Sequence, residues 1–422
     1  MHPPPDRRRL ALYRAGLALA VAYFVAGGVL ALWFPADGLD LYVSYVAGRC
    51  STEGLSPYER AAYVQTWQSL DTPPSLASTV DLPFAYPPSW IPICVGLSLL
   101  PWGAALALWK LLNVACLIGS VLLVFQLLRD YGLDTHDRYA AWCFALVLSP
   151  TLSVMTTGQT SLVVVFMLLL AGHALRQGRA ALAGLPLAVG MIKPQLAIPF
   201  VAFLFLRREL PTVGVMIACL GSLTWVGLGL SHSDLATYVA SIGTYAASNA
   251  PTSHIAVGLA SLLAHLTPLG AGAATLIGLT VGVLLVAIVV FVHRNDGRRI
   301  ATANALPVLL YVAPLCFRCN GYDLVALIPL FVWSRTSGLP VLLRRTIQGL
   351  CWTLVVPRAA IGLAFETLAG GFVTADGARV AELSFRSWIL LLLLPTALLT
   401  ISFRTRRADD GETATVARAE TA

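Results

Sequence analysis

The sequence predicts an all-α, polytopic membrane protein. Of its 422 residues, 57% are hydrophobic and 12% are charged, and the mean hydropathy is +0.77. Ordinary soluble domains are roughly 25% charged. A transmembrane helix needs about 20 apolar residues, so a chain of this length can hold about a dozen spans and one or two ordered loops. The composition therefore excludes a soluble globular enzyme, a disordered chain and a disulfide-stapled mini-protein.

The basic residues lie in short clusters between apolar stretches, so the net charge of +7 is a topology signal and not a nucleic-acid footprint. Arg7, Arg8 and Arg9 precede the first apolar run, and Arg404 and Arg407 follow the last. Lys and Arg accumulate in cytoplasmic loops. We therefore expect a multi-pass protein of the cell (plasma) membrane with both termini cytoplasmic, an even number of spans and no nucleic-acid partner.

The first apolar run, residues 10–34, is too long for a signal-peptide core and is interpreted as a retained span. It leads to a polar, mostly acidic stretch at 35–88, which predicts an ordered first extracytoplasmic loop. A long span at 102–128 returns to the cytoplasm. The next span ends near Met155 and reaches a short outer turn at 156–159.

The stretch 180–206 is interpreted as two short spans that meet at the outer face, at Lys193 and Pro194. A single helix would carry these two residues at its centre and would leave Arg179 and Arg207 on the same side of the membrane. Interrupted, unusually short apolar segments are typical of a site inside a membrane protein.

The second half of the chain continues the alternation. A span at 211–230 leads to a second large outer loop, 231–268, which has no Lys or Arg and could hold an interfacial helix at 255–266. Further spans bring the predicted total to about twelve. We expect a single transmembrane domain over 1–407 and a disordered cytoplasmic tail over 408–422.

A few polar side chains are predicted at the outer ends of the helices, where a charged group is costly unless it lines a wet cavity or is paired. Four are charged, namely Asp40, Lys193, Arg318 and Asp323. Four more can form hydrogen bonds, namely Tyr86, Gln159, Asn320 and Tyr322. From topology alone, these groups predict a cavity for an anionic lipid headgroup and an acceptor hydroxyl.

These candidates also have purely structural interpretations. Asp40 could be an ordinary loop acid near a helix end, and Lys193 could extend to the membrane interface. Arg318 could form a structural ion pair with Asp323. Gln159 could do no more than cap a helix.

Several motifs resemble, in chain order, those of the glycosyltransferase family 87 proteins. The first outer loop matches at 40–45, at 54–59 and at Phe84-Ala85-Tyr86-Pro87-Pro88. The later matches are Gly158-Gln159-Thr160-Ser161, then Ala183-Gly184 with Ile192-Lys193-Pro194-Gln195, and finally Tyr322-Asp323-Leu324. The resemblance covers about residues 10–335.

The resemblance implies a GT-C-type transmembrane bundle. It also implies transfer of a hexose, mannose above all, from a polyprenyl-phosphate sugar to a lipid or glycan acceptor hydroxyl, with inversion, at an extracytoplasmic active site. Two positions depart from the family. Thr160 and Ser161 follow Gln159 where many members have Asn, and Tyr322 stands where several members have a histidine thought to contact the donor phosphate.

The family's chemistry implies roles for the candidates. Asp40 lies where the family has its catalytic base, which takes the proton of the acceptor hydroxyl. The departing lipid phosphate gains negative charge and calls for pre-positioned cations and donors. The donor phosphate-binding candidates are Lys193, Arg318 and Tyr322. The substrate-binding candidates are Tyr86, Gln159, Asn320 and Asp323.

No metal site is assigned and no cofactor is required, although a divalent cation could share the charge of the phosphate. The expected partners are the polyprenyl-phosphate sugar donor, the lipid or glycan acceptor and the surrounding membrane lipids. An arabinofuranosyltransferase that uses decaprenyl-phosphate arabinose is the main alternative. A membrane transporter or lipid flippase and a catalytically silent scaffold are alternatives from other classes.

Overall fold

The structure, a computed structural model, describes residues 7–31, 37–79, 82–248, 256–336, 339–356 and 385–396. Within these ranges the regular structure is helical apart from one short pair of strands, as expected for an all-α membrane protein. The predicted tail at 408–422 lies outside the described residues, and so does part of the predicted domain 1–407.

The N-terminal half begins with a candidate span and an ordered segment. Helix α1, Arg7–Phe24, continues as a π-helical turn over Val25–Val29. The segment predicted as the first outer loop holds α2, Leu39–Thr52, and α3, Arg60–Ser69. A short helix missing from the prediction, α4 at Ile91–Ser98, packs against α2.

The central helices carry the polar candidates at their ends. In chain order they are α5 (Trp102–Leu127), α6 (Thr135–Val147), α7 (Ser149–Thr157), α8 (Ser161–Arg176), α9 (Ala180–Gly190), α10 (Pro194–Leu206) and α11 (Leu210–Leu230). The predicted interruption at Lys193 is present, because α9 ends at Gly190 and α10 begins at Pro194.

The C-terminal half adds further helices and the strand pair. The elements are α12 (Leu235–Ser248), β1 (Ala256–Val257), α13 (Leu259–Leu266), α14 (Ala271–Val292), α15 (Arg298–Cys316), β2 (Cys319–Asn320), α16 (Ile328–Ser334), α17 (Val341–Thr353) and α18 (Phe385–Thr396). β1 pairs antiparallel with β2, with Ala256 opposite Asn320. This pairing ties the segment predicted as the second outer loop to the chain just before Asp323. Helix α12 is also missing from the prediction.

Five described helices are long and apolar enough to cross a membrane, namely 10–29 together with α5, α11, α14 and α15. A sixth span arises if α6 and α7, which are bent by 47°, cross together. Shorter apolar helices, including α8, α9 and α10, stand where further spans are predicted. The protein is therefore a helical membrane protein, and the total of about twelve spans stays a prediction.

Helix α15 lies at the centre of the bundle and contacts α8, α10 and α14. All of its residues from Ala301 to Cys316 are buried, as expected for a helix that is apolar on every side. Around it, α9 and α11 approach closely at Gly184, where a Cβ atom would come within 2.6 Å of the Thr212 carbonyl oxygen. Small residues at such crossings let membrane helices pack backbone to backbone.

Candidate functional site

The site begins where the end of α7 meets the start of α2. Gly158 ends α7 in the left-handed region, with φ +74°, and a Cβ atom there would lie 2.6 Å from the Leu41 Cβ. Gly38, which caps α2, donates its backbone N–H to the Thr156 carbonyl oxygen at 2.6 Å. These contacts bring Asp40, in the first turn of α2, beside the turn that carries Gln159.

Asp40 is partly buried at this junction. Burial raises the pKa of its carboxyl group, while hydrogen bonds from the Gln159 and Thr157 side chains and the charge of Lys193 lower the pKa. The charge of Asp323 raises the pKa further. The net direction is upward, so Asp40 holds a proton more readily than an exposed aspartate.

Lys193 is the centre of a buried polar network. Its Nζ donates to Gln159 Oε1 at 2.8 Å, to Ser161 Oγ at 2.8 Å and to Asp323 Oδ1 at 2.9 Å. It also lies 4.5 Å from the centre of the Tyr322 ring. Lys193 is only 5% exposed, so its side chain does not extend to the membrane interface. The three N–H donors of the ammonium group are all engaged within the protein.

Asp323 is fully buried and accepts from three directions. Oδ1 receives the Lys193 ammonium and the Ser161 hydroxyl, the latter at 2.7 Å. Oδ2 receives the backbone N–H of Asn320 at 3.0 Å, as part of a reciprocal cap at the start of the 321–327 turn. Asn320 Nδ2 in turn donates to the Tyr322 hydroxyl. The ion-pair partner of Asp323 is therefore Lys193, where the sequence suggested Arg318 as a structural alternative.

Tyr86 connects this network to the segment predicted as the first outer loop. Its hydroxyl donates to Gln159 Oε1 at 3.2 Å, and its carbonyl oxygen accepts from the Tyr58 hydroxyl at 3.2 Å. Gln159 thus receives hydrogen bonds from both Tyr86 and Lys193. The alternative interpretation of Gln159 as a simple helix cap does not account for these two side-chain contacts.

Arg318 lies within electrostatic range of Tyr245 on α12. Burial raises the pKa of Tyr245, the charge of Arg318 lowers it, and the charges of Asp40 and Asp323 raise it. Tyr245 is therefore within electrostatic range of all three. The structure brings the eight predicted residues to one region, with seven of them linked through Gln159, Lys193 and Asp323.

Three contributors were not among the predicted site residues. Ser161 bonds to both members of the buried ion pair, and it belongs to the Gly-Gln-Thr-Ser turn that the motif match had already marked. Tyr245 lies on α12, which was not predicted. Lys110 sits within the apolar helix α5, where a lone ionisable residue signals a functional or structural requirement.

Lys110 holds the chain that leads into the site. Its Nζ lies 2.7 Å from Asp37 Oδ2 and donates to the Val29 carbonyl oxygen at 2.8 Å. Val29 ends the π-helical turn, and Asp37 lies three residues before Asp40. This contact ties the chain that enters α2 to helix α5.

Among the described residues, the site offers few carboxylates for a divalent cation. Both oxygens of Asp323 are occupied by protein donors, which leaves Asp40 as the one predicted carboxylate for a metal. Within the described part of the chain, no group of three or more His, Cys, Asp or Glu residues could hold a metal ion.

The fold and site together define a polytopic membrane protein with a partly buried carboxylate, a buried ion pair and several hydroxyl groups at broken helix ends. The family model of glycosyltransferase family 87 matches residues 84–317, more than half of the chain, and the chain belongs to that family. The family that the motifs predicted is therefore confirmed.

One curated relative is a polyprenol-phosphate-mannose-dependent alpha-(1-2)-phosphatidylinositol pentamannoside mannosyltransferase from Mycobacterium tuberculosis (strain CDC 1551 / Oshkosh). It is 29% identical over 235 residues, which are 52% of this chain and 50% of the relative. The chain thus spans about half the length of the relative that it matches. No solved structure matches the chain.

Proposed function

We propose that this protein transfers mannose from a polyprenyl-phosphate-mannose donor to a hydroxyl group of a lipid or glycan acceptor. Membership of glycosyltransferase family 87 supports the reaction class, and the name of the mycobacterial relative supports the donor. The single structural observation that carries the proposal is the convergence of Asp40 with the Gln159–Lys193–Asp323 network.

In this reaction Asp40 is the general base. The acceptor oxygen attacks the anomeric carbon as Asp40 takes its proton, a new C–O bond forms, and the bond from the anomeric carbon to the phosphate oxygen breaks. The polyprenyl phosphate leaves with the electron pair, and a single in-line displacement inverts the anomeric configuration. A raised carboxylate pKa favours this role, because a base works best when its pKa approaches the working pH.

The donor phosphate would be bound by Arg318, Tyr322 and Lys193. Lys193 already uses three donors and faces a paired carboxylate, so contact with a phosphate requires it to release Gln159 or Ser161. Arg318 then supplies the charge that the departing phosphate needs. Lys193 has the further function of orienting Gln159, which hydrogen-bonds towards Asp40.

The charge distribution supports a site on the extracytoplasmic face. Helix α8 starts at Ser161 in the site and ends at Arg176, whose Nη2 lies 2.7 Å from Asp130 Oδ2. Arg299 contacts the same carboxylate at 2.9 Å. This end of α8 is therefore basic, and basic ends face the cytoplasm. The proposed active site lies at the other end.

The test is transfer of labelled mannose by the purified protein. Asp40→Asn keeps the shape of the side chain but removes the base, and we expect a loss of at least a hundredfold in kcat with normal membrane insertion. Asp71→Asn is the matched control, because Asp71 is an exposed acid in the same outer segment. Near-normal turnover by Asp40→Asn would refute the assignment. Labelled decaprenyl-phosphate arabinose in a parallel reaction tests the alternative sugar.

A further inference from the structure

Helices α8 and α9 form a hairpin with a groove along its side. The two helices pack against each other and are joined by residues 177–179. The groove has a volume of about 590 Å³ and is lined from Met167 to Gln177 on one side and from Arg179 to Val189 on the other. Each stretch rises about 15 Å, because a helix rises about 1.5 Å per residue. This length is about half of the 30 Å hydrocarbon layer, which is the depth of one leaflet.

The groove is apolar along its length and polar at one end. Seven of its ten lining residues have apolar side chains, and two of these, Leu182 and Leu185, are 54% and 48% exposed. Exposed leucines on a membrane helix pack against lipid chains, which are equally apolar. The three polar residues lie where α8 ends and α9 begins, and they are His173, Gln177 and Arg179. Such a lining fits a molecule with a hydrocarbon chain and a polar headgroup.

The polar end of the groove lies beside an excess of positive charge. Three arginines share the Asp130 carboxylate, namely Arg129 at 3.5 Å, Arg176 at 2.7 Å and Arg299 at 2.9 Å. One carboxylate cannot neutralise three guanidinium groups. Basic pockets between membrane helices attract anionic lipid headgroups. This end of the groove therefore favours a headgroup with negative charge.

Arg179 lines the groove and belongs to the same basic end. His173, also in the lining, is within electrostatic range of Arg129, Arg176 and Arg179. The Arg179 side chain is exposed, and its guanidinium group forms no ion pair within the part of the chain that the structure describes. A charged group beside hydrocarbon is costly unless it finds a partner. A headgroup phosphate supplies that partner, because a guanidinium group can bind it through two parallel N–H bonds.

We propose that the groove between α8 and α9 binds an anionic phospholipid, with an acyl chain along Leu182 and Leu185 and the headgroup phosphate on Arg179. This lipid is distinct from the sugar donor, whose proposed site lies at the Ser161 end of α8. It holds together the two helices that lead to that site, since α9 ends three residues before Lys193. Binding of the lipid does not depend on the proposed transfer reaction.

Titration of the delipidated, detergent-purified protein tests the site, with native mass spectrometry as the measure of bound lipid. We expect phosphatidylglycerol to bind at least fivefold more tightly than phosphatidylcholine, and Arg179→Gln to raise the Kd for phosphatidylglycerol about fivefold. The Kd for phosphatidylcholine should stay unchanged. Arg138→Gln is the matched control, because Arg138 is an exposed arginine near the start of α6 that does not line the groove. It should change neither Kd.

A second substitution tests the apolar part of the groove. Ala174→Phe places a ring in it and should raise the Kd for phosphatidylglycerol about tenfold, whereas Ala181→Phe, on an exposed position of α9 outside the groove, should not. Equal Kd values for the two lipids in the wild-type protein would overturn the inference. So would equal effects of Arg179→Gln and Arg138→Gln, since binding would then follow net charge. Displacement of the lipid by an equal concentration of inorganic phosphate would show an anion site that needs no acyl chain, and would also overturn it.

Discussion

Replacement of Lys193 by methionine would leave Asp323 charged, fully buried and without its counter-ion. Only the Ser161 hydroxyl and the Asn320 N–H would remain to stabilise the carboxylate. Breaking a buried ion pair at one end costs about 3–5 kcal/mol, because the other charge stays out of water. We therefore expect Lys193→Met to lower the free energy of unfolding by that amount.

The double variant Lys193→Met with Asp323→Asn removes the uncompensated charge. The Asn side chain can still accept from Ser161, and the lost Gln159 and Ser161 bonds to the ammonium would cost about 1 kcal/mol each. The double variant should therefore be more stable than Lys193→Met by about 1–3 kcal/mol. Transfer should nevertheless stay impaired, because Gln159 has lost the group that orients it.

The assay is reversible unfolding of the detergent-purified protein, with Arg49→Met as the control. Arg49 pairs with Glu53 at 3.8 Å in an exposed position, where an ion pair is worth about 0–1 kcal/mol. If the two site substitutions prove additive, the charges of Lys193 and Asp323 do not interact and the network argument fails. If the double variant recovers full transfer, Lys193 has no role in orienting Gln159.

Three further predictions concern the positioning and ionisation of Asp40, the proposed base. Burial raises the pKa of Asp40, so kcat/KM should fall as the pH drops through a value above the ordinary aspartate pKa of about 3.9. A midpoint at or below about 3.9 in the pH–rate profile would contradict the burial argument. Lys110→Met should lower kcat at least tenfold, because it loosens the chain that enters α2. Lys110→Arg keeps the charge and should retain part of the wild-type kcat. Equal kcat values in the two variants would show that the charge is not needed. Gly158→Ala should destabilise the protein by about 1–3 kcal/mol more than the control Gly178→Ala. Gly178 has a similar φ of +77°, but a Cβ atom there would meet only open space. Equal unfolding midpoints of the two variants would rule out the contact of Gly158 with α2.

The sequence was a good guide to which polar residues lie together. Charge bias and the alternation of apolar runs were sufficient to group Asp40, Gln159 and Lys193, because both are local properties of the chain. The partner of Asp323 could not be found in this way. Lys193 and Asp323 are 130 residues apart, and their pairing depends on how α10 packs against α15.

The two helices and the lysine that were not predicted from the sequence each have a physical reason. Helix α4 has only eight residues, too few to show a clear apolar periodicity. Helix α12 has a polar face and no basic residue, so it merged with the loop around it. Lys110 was hidden inside a run that is otherwise strongly apolar, although its cost in hydrocarbon was itself the signal.

The shortness of α8 determines how deep the chemistry lies. Its 16 residues span about 24 Å, whereas the hydrocarbon layer is about 30 Å thick. If the Arg176 end is at one surface, the Ser161 end stops about 6 Å below the other. A lipid-linked sugar can then reach Lys193 without lifting prenyl carbons into water, which would cost about 0.8 kcal/mol for each exposed CH₂ group. The water-soluble part of the acceptor has to descend to meet it.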